Sequence, residues 1–365
     1  MTSTCPGSLM DHLGYDERWA AAFDQALDVR LSGLSPQPAR IVRTDRGACE
    51  LLGQDGSLRA SWGADIVAAV ARDPLAVPST GDWAVALLWP DGRRTVEAVL
   101  PRRTVLVRAQ VNGSSNVQVL AANAEVVAVV EGLVPDPDLG RIERLLALAE
   151  HSGAAPRLVL TKADLIVDGA ALAREVVAGV GSSCPVDVTT APDAAGLSGL
   201  RARLVAGDTI ALVGASGVGK STLVNALVGE AAMATRSLGT AHKGRHTTVT
   251  RELHLVAGGG CLIDTPGLRS VGLVAADGLD GVFADIDALA LACRFTDCGH
   301  GAEPGCAVRD AIENGELAPR RLRNWDALQR EARWQAARTD ARLRREQQRV
   351  WKQRSRASRQ RRGRA

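Results

Sequence analysis

No stretch of about 18 uninterrupted apolar residues occurs in this sequence. The nearest, VLAANAEVVAVVEGLV, is broken by Asn123 and Glu125, so no membrane-spanning helix is expected. The opening segment MTSTCPGSLMDHLGYDE has no basic leader followed by an apolar core, which argues against a secretory signal. A soluble, cytoplasmic protein is expected. Aromatic residues are scarce, with 1 Tyr and 3 Phe against 7 Trp, and composition alone supplies no reason for the tryptophans. The cysteines do not read as a disulfide framework: Cys5, Cys49, Cys184 and Cys261 are scattered, as expected of free or buried thiols in a reducing compartment. No internal repeat is found. What remains is a chain of 365 residues, 46% of them apolar, long enough for two or three domains and a large core.

Charge is divided unevenly. From Arg320 to the end there are 17 Lys and Arg against 4 Asp and Glu, a local +13 that leaves −10 for the rest of a chain whose net charge is +3. An acidic body with a basic tail points to a polyanionic partner such as RNA, whose phosphates would give a salt-dependent affinity. A solvated helix with a disordered end is the alternative. Trp325, Trp334 and Trp351 could stack on bases or pack inward, and Arg102, Arg103 and Arg108 offer a second surface for RNA.

Residues 1–36 read as a mobile arm with one short helix. From 37 to 115 the runs ARIVRTDRGACELL, GSLRASW, GDWAVALLW, RRTVEAVL and TVLVRAQV alternate with the turns DRG, QDG and PDG. About five short strands fit a small β-barrel, of OB type or another. From 116 to 288 apolar runs (EVVAVV, RLVLTK, VDVTTA, DTIALVG, GCLIDT) alternate with segments of helical spacing. That is the pattern of a parallel α/β sheet of about six strands. Residues 289–325 carry a cysteine cluster, and 326–365 are a basic helical tail.

GASGVGKST, residues 214–222, follows a strand and opens a helix, the context a phosphate-binding loop requires. Gly214, Ala215, Ser216, Gly217, Val218 and Gly219 present backbone amides to phosphates, and the helix N-terminus adds positive field. Lys220 is expected to reach the β- and γ-phosphates, Ser221 to ligate Mg²⁺ and Thr222 to continue the cradle. LIDTPG comes 43 residues after Ser221: Asp264 is placed to hold Mg²⁺ through water and Gly267 to face the γ-phosphate. TKAD identifies the base. The Asp164 carboxylate matches the paired donors of guanine N1 and N2, while the Lys162 stem can lie along the ring. Thr190 and Ala191, one strand further on, bring an amide to guanine O6.

These loops run in an order opposite to that of an ordinary GTPase, with the base-reading pair ahead of the phosphate loop. They need only meet at the carboxyl ends of parallel strands. A chain cut after the phosphate-sensing switch, with its old ends joined, has the order found here, so the sequence encodes a circular permutation.

Residues 38 to about 325 resemble the circularly permuted, ribosome small-subunit-dependent GTPases of bacteria (RsgA type). DPLAVPSTGDWAV, EAVLPRRT, QVLAANAE, KGRHTT, DTPGLRSVGL and CRFTDCGH with EPGCAVR carry the resemblance. It implies an N-terminal OB-fold β-barrel, a central circularly permuted α/β P-loop GTPase domain and a C-terminal zinc-binding helical domain. The implied function is GTP hydrolysis stimulated by the small ribosomal subunit and its rRNA, late in subunit maturation. Thr161 departs from the pattern, standing where the guanine motif has Asn, and a looser tie to the phosphate loop is expected there. A monomer is expected.

Cys293, Cys298, His300 and Cys306 form C-x4-C-x-H-x5-C. Three thiolates and an imidazole suit one structural Zn²⁺; coincidental thiols are the alternative on chemistry alone, and the resemblance matches all four positions. Leu268 follows the DTPG glycine where Ras-like enzymes place a Gln, so slow intrinsic turnover is expected. Thr247 and Thr248 lie in the position of the first switch, one of them to close onto Mg²⁺. The histidine beside them is His246, and the resemblance implies that it acts on the attacking water; a solvent-facing side chain is the alternative. His242, Lys243 and Arg245 make this loop basic. The competing readings are an RNA-binding protein that uses GTP only as a structural ligand, and a P-loop kinase or ATPase, against which TKAD argues.

Overall fold

A computed structural model describes residues 8–27, 34–109, 117–190, 196–228, 251–268, 271–273 and 275–339. Two helices open it, α1 (Leu9–His12) and α2 (Glu17–Ala26). Ser8 and Asp11 form a reciprocal capping box on α1, and the Asp16 carboxylate accepts from Trp19 N on α2. The chain here is anchored: Leu13 and Trp19 are buried, and Tyr15 and Trp19 pack on Trp83 with ring centroids 4.9 and 6.1 Å away. The expected arm with one short helix is therefore corrected, over these residues, to a docked helix pair. Its aromatic cluster accounts for two of the tryptophans.

Five strands close into a barrel in the order β1-β2-β3-β5-β4. They are β1 (Pro36–Asp45), β2 (Ala48–Gly53), β3 (Gly56–Trp62), β4 (Trp83–Leu88) and β5 (Arg94–Val99), with α3 (Ala64–Arg72) between β3 and β4. β1 pairs antiparallel with both β2 and β4, and β3 meets β5 in parallel, which makes the barrel OB-like. The count of five is right but the membership differs. ARIVRTDRGACELL is two strands joined by a turn, whereas the described residues of TVLVRAQV, 104–109, lie outside the barrel. Within them, β6 (Val105–Ala109) pairs with β7 (Val117–Ala122) in a separate two-stranded sheet. That sheet straddles the expected boundary at 115.

The six-stranded sheet runs β10-β9-β8-β11-β13-β12, from β8 (Val126–Gly132), β9 (Ala155–Thr161), β10 (Val186–Val188), β11 (Thr209–Val213), β12 (Glu252–Leu255) and β13 (Cys261–Asp264). Five strands are parallel; β12, not foreseen, pairs antiparallel at the edge. Along β8, Val127 and Val129 face a core shared with α4 (Leu139–His151) and α5 (Gly169–Val180). Val126, Ala128 and Val130 face α6 (Ser198–Val205) and α7 (Lys220–Val228). Burial on both faces explains the uninterrupted apolar runs.

Barrel and sheet are joined by Arg40, which is 2% exposed. Its guanidinium donates to Leu13 O, to Asn123 O at 3.0 Å and to Gly81 O at 3.3 Å, linking the helix pair, the barrel and the entry to β8. Gly81 has φ +96°, and a Cβ there would lie 2.0 Å from Ala122 O, so only glycine permits this approach.

The C-terminal helices span Leu279–Val282, Ala284–Ala290, Ala307–Glu313 and Pro319–Thr339. The last is continuous through the expected boundary at 325/326. Its first arginines are bound inside the protein: Arg320 and Arg321 donate to the buried Glu143 at 2.7 and 3.0 Å, and Arg321 also to Asp285. Trp325 packs against His300. The barrel-side arginines are committed likewise. Arg102 grips Asp82, Arg103 pairs with Asp16 over the Trp19 ring, and Arg108 bonds Gln118. Each of the three arginines expected to face RNA is thus paired within the chain, the Arg103–Asp16 pair at the surface. Trp351 and residues 340–365 lie outside the described residues. Among the described residues no helix is long and apolar enough to cross a membrane.

Candidate functional site

The loops singled out in the sequence meet at the carboxyl ends of β9, β10, β11 and β13. Gly217 and Gly219 take φ +81° and +103° between β11 and α7, a left-handed backbone that other residues rarely adopt. A Cβ on Gly214 would come 2.2 Å from Val130 O, so this turn folds tightly onto β8. Lys220 is buried, and its ammonium donates to Gly214 O and Ala215 O at 2.8 Å each. Burial lowers the Lys220 pKa, against the opposing pull of Asp264. Ser221 and Thr222 follow in the first turn of α7, and Ser216 lies beneath Gly267.

Asp264 ends β13, 8% exposed. Burial raises its pKa, with Lys220 acting in the opposite direction. Its Oδ1 is buried with no hydrogen-bond partner, a costly arrangement for a carboxylate that a cation would relieve. Thr265 Oγ1 donates to Leu212 O at 2.6 Å and fixes the start of the next loop. A Cβ on Gly267 would lie 2.7 Å from Ser216 Cα, and Leu268 N donates to Gly214 O at 3.0 Å. The DTPG loop thus rests directly on the phosphate-loop backbone. Leu268 itself is buried.

The TKAD loop is more tightly held than its sequence predicts. Thr161 Oγ1 donates to Val218 O at 2.5 Å and lies 3.3 Å from Glu131 O. The hydroxyl therefore makes the tie to the phosphate loop that loss of Asn was expected to loosen. Lys162 takes φ +63°, and its Nζ donates to Val134 O at 3.0 Å. A cavity of about 240 Å³ opens between this loop and α7, lined by Thr161, Lys162, Asp164, Thr189, Thr190, Gly219, Thr222 and Leu223. Leu223 and Ala226 on this wall were not foreseen; helical spacing from Lys220 and Thr222 was the available signal. Ala191, His246, Thr247 and Thr248 lie outside the described residues, as do His242, Lys243 and Arg245.

The four candidate metal ligands do converge. The ligand atoms of Cys293, Cys298, His300 and Cys306 all lie within 4.8 Å of one another. Cys293 Sγ is 3.9 Å from Cys306 Sγ, and His300 Nδ1 is 3.7 and 3.5 Å from those two sulfurs. A tetrahedral ion with bonds of about 2.0–2.3 Å has edges of roughly 3.5–3.8 Å, so the set could hold one. His300 reaches it through a left-handed backbone, φ +54°.

The chain is similar to known proteins. The RsgA GTPase family model matches residues 99–274. A Streptomyces coelicolor protein named small ribosomal subunit biogenesis GTPase RsgA is 47% identical over 361 residues, covering 97% of this chain and 96% of its own. Its namesake from Opitutus terrae is 39% identical over 355 residues, covering 94% and 95%. The crystal structure of YjeQ from Thermotoga maritima matches with a TM-score of 0.59 at 25% identity, over 82% of this chain and 99% of that one. YloQ, described as a circularly permuted GTPase, shares the fold with a TM-score of 0.57 at 23% identity, over 84% and 98%.

Proposed function

The chain belongs to the RsgA GTPase family, and from that premise we propose that it is a cytoplasmic GTPase of small ribosomal subunit biogenesis whose turnover is raised by the subunit and its rRNA. The observation that carries this reading is the meeting of TKAD, Thr189–Thr190 and the end of the phosphate loop around one cavity, with DTPG resting on the phosphate-loop backbone, despite their reversed order in the chain.

In this reading Asp164 accepts from guanine N1 and N2, Lys162 covers the ring, and Thr190 with Ala191 brings an amide to O6. Thr161 holds that loop to residue 218. The amides of residues 214–219 hold the phosphates, and Lys220 exchanges its two carbonyl acceptors for β- and γ-phosphate oxygens. Ser221, one of Thr247 and Thr248, and Asp264 hold Mg²⁺; the unpartnered Oδ1 of Asp264 supports that role. When bound, the ion neutralises charge on the β- and γ-phosphates. Gly267 offers its amide to the γ-phosphate, and His246 acts on the attacking water in place of the Gln that Leu268 replaces. Cys293, Cys298, His300 and Cys306 hold a structural Zn²⁺, which pins the C-terminal helices; a closed set of four ligands leaves no open position for catalysis.

The test is GTP turnover with and without purified small subunits, at low and high salt, with large subunits as control. Stimulation by small subunits alone, weakening with salt, is the expected result. GTP binding without stimulation would instead favour an RNA-binding protein that keeps GTP as a structural ligand.

A further inference from the structure

The residues after DTPG have a second set of anchors, remote from the nucleotide loops. Val271 O accepts from Arg144 Nη1 at 2.9 Å, and Leu273 N donates to Glu331 Oε1 at 2.8 Å. Between them Gly272 exchanges two backbone hydrogen bonds with Ala109, at 2.9 and 3.3 Å. A Cβ on Gly272 would lie 2.9 Å from Ala109 O, so the glycine allows this approach. Glu331 also takes Arg144 Nη1 on both carboxylate oxygens, at 2.7 and 2.6 Å. One carboxylate of the Pro319–Thr339 helix thereby joins α4 and the chain downstream of Gly267. A cavity of about 600 Å³ lies alongside, lined in part by Leu268, Val271 and Trp334.

We propose that Glu331, through Arg144 and the Leu273 amide, is a positioning residue that fixes the far end of the γ-phosphate-sensing segment and so favours GTP over GDP. This rests on the nucleotide reading above. GTP asks Gly267 and its neighbours to order against the γ-phosphate; GDP makes no such demand. A segment tethered at Val271–Leu273 has little freedom left to lose. Released from Glu331 it has more, and that cost falls on the triphosphate alone. The coupling is reciprocal: whatever displaces the C-terminal helix changes GTP affinity, and GTP changes how firmly that helix is held. Glu331 lies in the same basic segment that begins at residue 326, so a polyanion gripping that segment would have a route to the switch.

Fluorescent GDP and a non-hydrolysable GTP analogue are titrated into the full chain, without subunits. Glu331→Ala is expected to weaken the analogue about five- to tenfold and to leave GDP within about twofold. Arg144→Ala is expected to do the same, with the double variant no worse than the larger single effect, because both act on one contact network. Equal weakening of both nucleotides, or an unchanged analogue-to-GDP ratio in a variant that melts as a folded protein, overturns the proposal. Glu331→Gln retains an acceptor for Leu273 N and takes the place of Glu331→Ala should the latter not fold. Its ratio is expected to move in the same direction by a smaller factor, and an unchanged ratio counts against the proposal. The readout needs no ribosomal subunit, so it can fail while subunit stimulation succeeds, and the reverse.

Discussion

Replacing Thr161 with valine keeps the shape of the side chain and removes only its hydroxyl. In the protein that hydroxyl is buried, and its single proton goes to Val218 O at 2.5 Å rather than to Glu131 O at 3.3 Å. The substitution leaves the Val218 carbonyl without this donor. An unsatisfied buried group costs about 1–3 kcal/mol, and some of that is recovered if the loop shifts. About 1–2 kcal/mol is left, divided between global stability and the fit of Lys162 and Asp164 around the base. If most of it falls on binding, guanine nucleotides weaken roughly five- to thirtyfold. Titration of fluorescent GDP into wild type and Thr161→Val, with thermal melts of both, separates the two shares. Thr161→Asn, which restores a longer polar side chain, is expected to bind GDP nearly as well as wild type. GDP affinity and melting temperature both unchanged in Thr161→Val would refute the claim that this hydroxyl holds the base-reading loop.

Asp264→Asn is expected to raise the melting temperature in Mg²⁺-free buffer at neutral pH while abolishing Mg²⁺-dependent GTP affinity. Burial raises the Asp264 pKa above its ordinary value of 3.8, so its contribution to stability is complete below that value and is lost as pH rises through the folded pKa. About 1 kcal/mol regained corresponds to ~2–4 °C, and the gain should shrink as pH falls toward 4. Arg102→Ala leaves the fully buried Asp82 without its guanidinium partner and is expected to cost about 3–5 kcal/mol in denaturant unfolding. Stripping the Cys293–Cys306 cluster with a strong chelator should release about one equivalent of zinc by elemental analysis and lower the melting temperature. Cys306→Ala should bind little zinc before any chelator is added.

The loops were the most legible part of this protein in its sequence, because glycine at a left-handed turn or a carboxylate at a strand end has few substitutes. TKAD, GASGVGKST and DTPG could be placed from residue types and context, as could the Cys/His cluster. The helices α4, α5 and α7 were readable from apolar spacing. Hidden were features that depend on distant partners. TVLVRAQV has the alternation of a barrel strand, but nothing local says that β6 pairs with β7 instead. The sequence shows Arg102, Arg103 and Arg108 as a basic group but not that Asp82, Asp16 and Gln118 pair with them. Beside the Asn of the guanine motif Thr161 looks like a loss, because the carbonyl of Val218 that it binds lies 57 residues away in the chain. β12 is a four-residue edge strand of mixed polarity, too short to carry a period.

The position of β8 has a consequence for how the chain is made. All seven of its residues are buried in the finished sheet, between β9 and β11. In order of synthesis β9 and β10 follow β8 and can cover one of its edges, but β11 comes only after both of them. A growing chain therefore carries a long, apolar, unpaired strand edge at the centre of its future sheet, the kind of edge that invites pairing with other chains. The permutation that leaves the nucleotide site intact thus shifts the hazard to biosynthesis, with sheet closure waiting on the strand that leads into the phosphate loop.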